Sequence, residues 1–254
     1  MTAGGERAHD EGWVPVARTR TYELVLDRIE EQIASGRLRV GDRLPAERDL
    51  AAALGVSRVA VREAIRMLQA MGLISQATGS GREAGTILTA APAEALTRLI
   101  RMHVLLASVD SKDLVGARIT LERESAALAA KHATPDDHRQ MANALAVMED
   151  PRTTVEGFND ADTAFHVAIA RASGNSLVAE LTTALRNAMR STLLNRLRGQ
   201  SNYAGMAERL SDEHRAIHDA VLAGNAPLAA DLVAAHIEGF YADTRPTEQE
   251  ATQS

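Results

Sequence analysis

From residue 91 to the C-terminal tail the sequence shows no period-two alternation of apolar and polar residues, and that absence constrains the fold more than any other feature. Seven segments of helical periodicity follow one another instead, at 92–107, 110–132, 135–149, 154–173, 176–198, 204–223 and 226–242. Each break carries its own signal: Pro135, Pro151, the Ser-Gly-Asn at 173–175, the Gly-Gln-Ser-Asn at 199–202 and the Gly-Asn-Ala-Pro at 224–227. Seven amphipathic helices without a strand can bury their apolar faces only on one another. Composition agrees, because apolar residues make up 45% of the chain and aromatics only 3%, so Ala, Leu and Val must fill the core.

The first ninety residues have a different grain. Residues 1–18 read as a disordered leader. A helical pattern runs from Thr19, with Leu24, Ile29 and Ile33 among acids and arginines, and stops at Ser35–Gly36. "RVGDRLP" reads as a loop closed by Pro45, and residues 46–53 as a short helix with Leu50 and Leu54 inward. Gly55 breaks that helix, and Ser57 stands ready as the N-cap of the next, residues 58–71. "LIS" and "TILT" then flank a glycine-rich "TGSGREAG", the pattern of a hairpin. Three helices and a hairpin in that order make a winged helix-turn-helix. The expected fold is therefore mainly α: a DNA-binding domain over 19–90, an all-helical domain of about seven helices over 91–245, and a frayed tail over 246–254.

Within residues 58–71, Val61, Ile65 and Leu68 form an apolar stripe, while Arg58, Arg62 and Arg66 drift slowly round another face. One face can bury on the domain while the other meets a major groove, where the planar guanidinium fork suits guanine or phosphate. The bland alternative pairs Arg62 with Glu63 or a neighbour. Arg66 lies about 80° round from Arg58 and is left out of the contact set.

Several classes drop out. There are no cysteines, which excludes disulfides and thiolate metal sites and suits a reducing cytoplasm. No stretch approaches a membrane span, and the N-terminus lacks the apolar core of a signal peptide. The net charge of -6 argues against indiscriminate binding to nucleic acid, although residues 37–82 hold 8 Arg against 4 acids.

"GDRLPAERDLAAALGVSRVAVREAIRMLQAMGLI" resembles the DNA-binding domain of GntR-family transcriptional regulators. "ARITLERESAALAAKHAT", "DADTAFHVAIARASGNSLV" and "DEHRAIHDAVLAGNAPLAADLVAAHI" resemble, in order, the all-helical FCD ligand-binding domain of the FadR-type subgroup. The resemblance implies a transcriptional regulator, in this family usually a repressor; one such domain buries too little DNA for tight specific binding, so a homodimer on a pseudo-palindromic operator is expected. The resemblance implies DNA contacts from Arg48, Arg58, Arg62 and the wing-tip Gly79, while Ser57, at the N-terminus of the same helix beside free backbone amides, can itself bond a phosphate. The wing departs from the family pattern, being longer and lacking the usual aromatic.

The resemblance also implies a divalent metal held by Asp162, His166, His214 and His236. Asp162 and His166 are one turn apart, and three imidazoles with one carboxylate suit zinc, with manganese or nickel as alternatives. His218, one turn after His214, is the competing ligand. His9, His103, His132 and His138 fit no pattern and are expected on the surface. Arg118 lies on the inward stripe of 114, 118, 121, 125 and 128; its partner is either Glu122 or a small carboxylate effector. A metal-responsive regulator and a metal-dependent hydrolase are the competing functions.

Overall fold

The computed structural model describes residues 21–77, 85–89, 93–106 and 111–244 and divides into two compact units, residues 1–90 and 91–254. The proposed leader and tail, His9 and Gly79 lie outside the described residues.

In the first unit, α1 (Thr21–Ala34), α2 (Glu47–Leu54) and α3 (Arg58–Ala70) precede β1 (Ile74–Ala77) and β2 (Gly85–Leu88). Gly55 ends α2 in the left-handed conformation, φ 67°, and its N–H reaches back to the last turn. Two residues on, the Ser57 side chain accepts from Ala60 N–H at 3.2 Å and starts α3. Those two caps end one helix and start the next within three residues. The buried face of α3, Val61, Ala64, Ile65 and Leu68, meets Val25 and Ile29 of α1 and Ala51 of α2 in one apolar cluster. The strands pair antiparallel with Ile74 opposite Leu88, and both side chains join that cluster. "RVGDRLP" is more than a loop, because its backbone pairs with the hairpin: Leu44 N–H donates to Thr86 at 2.9 Å, Gly41 to Leu88 at 2.8 Å, and Leu88 to Asp42 at 2.9 Å. Its otherwise unpaired backbone groups thereby anchor the base of the wing.

The second unit holds α4 (Ala93–Leu105), α5 (Ser111–His132), α6 (Pro135–Glu149), α7 (Val155–Ala172), α8 (Ser176–Arg198), α9 (Tyr203–Leu222) and α10 (Ala226–Asp243). No strand occurs among its described residues. The breaks legible in the sequence are caps. Thr134 and Asp137 form a capping box around Pro135, and Asn175, Asn202 and Asn225 each accept a backbone N–H from the helix they open. Helix α7 is buried on almost every side, packed by α5, α6 and α8, while α10 lies against α5 and α9. Glu156, Asp160 and Arg171 keep the narrow solvent edge of α7, while Asp162 and His166 lie on the faces turned into the bundle.

Candidate metal centre and nucleic-acid face

Asp162 and His166 of α7, His214 of α9 and His236 of α10 each offer one ligand atom, and these atoms all lie within 4.8 Å of one another. The three histidines are buried and Asp162 is nearly so. His218 is not among them.

Each imidazole is oriented by its other nitrogen. His166 Nδ1 donates to Glu122 at 2.7 Å, His214 Nδ1 to the Leu210 carbonyl at 2.6 Å, and His236 Nδ1 to Glu213 at 2.7 Å. A neutral ring that donates through Nδ1 presents a lone pair at Nε2. His166 Nε2 and His214 Nε2 stand 3.1 Å apart, and Asp162 Oδ1 is 3.1 Å from the second and 3.8 Å from the first. Lone pairs facing one another at that distance can hold a cation between them. Burial, then the nearby Arg186 charge, push His166 down to about 3, and burial followed by His214 pushes His236 down to about 4. Those rings are neutral near pH 7, the form that ligates metal. Three Nε2 atoms with outer hydrogen-bond partners and one carboxylate oxygen therefore fit a divalent ion of the zinc type.

A second layer surrounds the centre. Arg186 of α8, 1% exposed, donates from Nε and Nη2 to the two oxygens of Glu122 at 3.0 Å each, and from Nη1 to Asp162 Oδ2 at 2.7 Å. That last bond leaves Asp162 Oδ1 turned to the histidines. Arg118 Nε donates to Glu122 at 2.9 Å, and its Nη1 to the Tyr241 hydroxyl at 3.2 Å. Burial works against the Glu122 charge, but Arg186 and then Arg118 outweigh it and hold the carboxyl well below its usual range. Asp162 is held down in the same way, burial opposing and Arg186 prevailing. Arg118 thus has Glu122 as its partner, and the pair belongs to the wall of the site. Beside it lies a cavity of about 20 Å³, lined by Arg118, Asn159, Asp162, Arg186, His236 and apolar side chains. Asn159 Oδ1 is buried there without a hydrogen-bond partner.

The sequence reading names Arg118 but not Arg186, Asn159 or Glu213. Arg186 had a signal of the same kind: it interrupts the inward stripe Thr182, Leu185, Met189, Leu193 of α8. His103 and His132 are exposed as expected, but His138 is not. It is half-buried between α6 and α9, its Nδ1 sealed from water, with its ring 5.8 Å from that of His218. The packing of α6 on α9 covers it.

On the first unit, Arg48, Ser57, Arg58 and Arg62 are all exposed. Arg62 does not pair within its own helix. Its Nη2 and Nε reach Glu47 Oε2, at the start of α2, at 3.0 and 3.1 Å. Arg48 donates to its neighbour Asp49 at 3.1 Å. Exposed pairs of this kind are worth about 0–1 kcal/mol, so a phosphate or base edge can displace them. Ser57 keeps its hydroxyl proton available while its oxygen caps α3.

Residues 21–83 match the family described as bacterial regulatory proteins, gntR family, and residues 113–239 match the FCD domain. The transcriptional regulator LutR of Bacillus subtilis is 35% identical over 81% of this chain and 92% of its own length. A putative L-lactate dehydrogenase operon regulatory protein of Escherichia coli is 29% identical over 86% of this chain and 84% of its own. The Glc operon transcriptional activator of Escherichia coli is 30% identical, covering 79% of each. A solved GntR structure from Streptococcus agalactiae shares the fold, with a TM-score of 0.60 and 24% identity over 87% of this chain and 99% of that one. A helix-turn-helix with an arginine-bearing third helix, joined to a helical bundle of this kind, places the chain among the transcriptional regulators of the GntR family, in the FadR-type group that carries an FCD domain.

Proposed function

We propose that this regulator is a homodimeric, cytoplasmic repressor that holds a pseudo-palindromic operator through Arg48, Ser57, Arg58 and Arg62, with the wing-tip Gly79 as a further contact, and lets go when a small carboxylate binds beside a divalent metal. Asp162, His166, His214 and His236 would hold the ion. When bound, it supplies fixed positive charge and an attachment point for an anionic oxygen.

The charge balance of the buried layer carries this reading. Arg118 and Arg186 offset Glu122 and Asp162, so the protein groups alone are neutral. A divalent ion ligated by neutral imidazoles leaves two uncompensated positive charges in a largely buried site, and an anion is the remedy. Arg118 and Arg186 can turn their forks to a carboxylate. One relative is named for an L-lactate dehydrogenase operon, whose substrate is a small carboxylate. Another is named as an activator, and a carboxylate that tightened rather than weakened operator binding would reverse the direction of the response.

No catalytic step is assigned. The carboxylates around the site are engaged: Asp162 by Arg186, Glu122 by two arginines and His166, and Glu213 by His236 and Arg209. None is placed to act as a general base. A metal-responsive regulator is the second reading. It is favoured by the cavity, whose 20 Å³ suits a single water or ion better than an organic acid.

The test is operator binding by zinc-loaded and chelated protein, titrated with small carboxylates and followed by thermal shift. A true effector at 100 times its Kd stabilises the zinc-loaded protein by about 2.7 kcal/mol, and if the coupling is of that size it weakens operator binding about 100-fold. Release driven by zinc alone, with no carboxylate effect, would select the second reading. Hydrolysis or any other turnover of a carboxylate would overturn both.

A further inference from the structure

Helix α3 exposes two large apolar side chains, Met67 at 40% near its end and Val59, the more exposed, at its start, which neither packing nor the arginine stripe explains. Val59, in the first turn, is 64% exposed. A β-branched residue at an open helical position loses rotamer freedom, and alanine would serve the helix better. Val59 returns little burial for that cost.

Its direction is informative. At about 100° per residue, the buried residues Ala60, Val61, Ala64, Ile65 and Leu68 spread over an arc centred about 170° round from Val59, so Val59 points almost straight away from the core. Arg62 and Arg66 lie within about 60° of it on one side, and Glu63 about 40° away on the other. All three are exposed. The open groove beside it is lined by Thr21, Tyr22, Ser57 and Glu63, so the isopropyl group remains accessible.

The first turn of a recognition helix is the part that meets base edges. Among the features those edges present in the major groove, one is apolar: the C5-methyl group of thymine. We propose that Val59 is a specificity residue that packs against a thymine methyl in each operator half-site. This rests on the reading of α3 as the recognition helix.

The experiment uses full-length protein and duplexes that it selects from a random pool. Each thymine of one selected half-site is replaced in turn by deoxyuridine, which removes only the methyl. At one position the wild-type protein should lose about fourfold in affinity, the worth of burying one methyl-sized group. Val59→Ala, checked for helix content by circular dichroism, should bind the two duplexes equally at that position. Indifference of the wild-type protein to every replacement, or an undiminished loss in Val59→Ala, would overturn the assignment while leaving α3 as the DNA-binding helix. Selection of no duplex at all would overturn both.

Discussion

Removing the Glu122 carboxylate is the sharpest probe of the metal centre. Glu122 is 3% exposed and accepts from Arg118 at 2.9 Å, from Arg186 twice at 3.0 Å and from His166 at 2.7 Å. In Glu122→Ala, Arg186 keeps Asp162, but Arg118 keeps only the Tyr241 hydroxyl, and its charge stays buried without a counterion. Breaking a buried ion pair from one side costs about 3–5 kcal/mol. With a urea slope of about 2 kcal/mol/M, the unfolding midpoint of metal-free protein should fall by about 1.5–2.5 M. Glu122→Gln keeps the shape and should fold, but its amide is a poorer acceptor for His166 Nδ1, so the tautomer that points Nε2 inward is less favoured. Zinc affinity, measured by competition with a chelating indicator, should drop about 10–100-fold. A midpoint shift below about 0.5 M for the alanine variant would show that solvent reaches the guanidinium groups. Unchanged zinc affinity for the glutamine variant would show that Glu122 does not set the His166 ring.

Three further outcomes follow from the same geometry. Arg58→Ala and Arg62→Ala should each cost about 1–3 kcal/mol of operator binding in gel shifts if they contact bases, whereas a uniform loss across sequences with a shallower salt slope would mark a phosphate contact instead. Gly55→Ala should destabilise the first unit by about 1–2 kcal/mol in urea, because φ of 67° strains any Cβ although no atom lies within 4 Å of where it would sit; no measurable change would mean that α2 ends differently. Burial, then the neighbouring His138, lower the pKa of His218, so the folded state takes up its proton less readily than the unfolded chain. That contribution to stability is present above pH 6.5 and is lost as pH falls below it; His218→Gln should therefore show a smaller drop in midpoint between pH 6.5 and 5 than the parent, and equal drops would refute the assignment.

Element type and order were legible because they rest on local signals. Helical periodicity, the Asn and Thr caps and the glycine breaks lie within a few residues of the elements they define, as at Thr134–Asp137 or Gly55–Ser57. The family resemblance pointed to Asp162, His166, His214 and His236, which the bundle brings together from α7, α9 and α10. The backbone pairing of Asp42–Leu44 with β2 was not legible, because it joins segments more than forty residues apart.

The one-dimensional chain was enough to determine a three-helix domain with a hairpin followed by seven packed helices, since each depends on periods of a few residues. Only the tertiary structure decided that Glu122 would bind two arginines and a histidine at once, that Arg62 would reach Glu47 rather than Glu63, and that His138 would lie against His218. Each of those is a choice among partners distant in sequence, fixed by how helices cross, and no local pattern encodes the crossing.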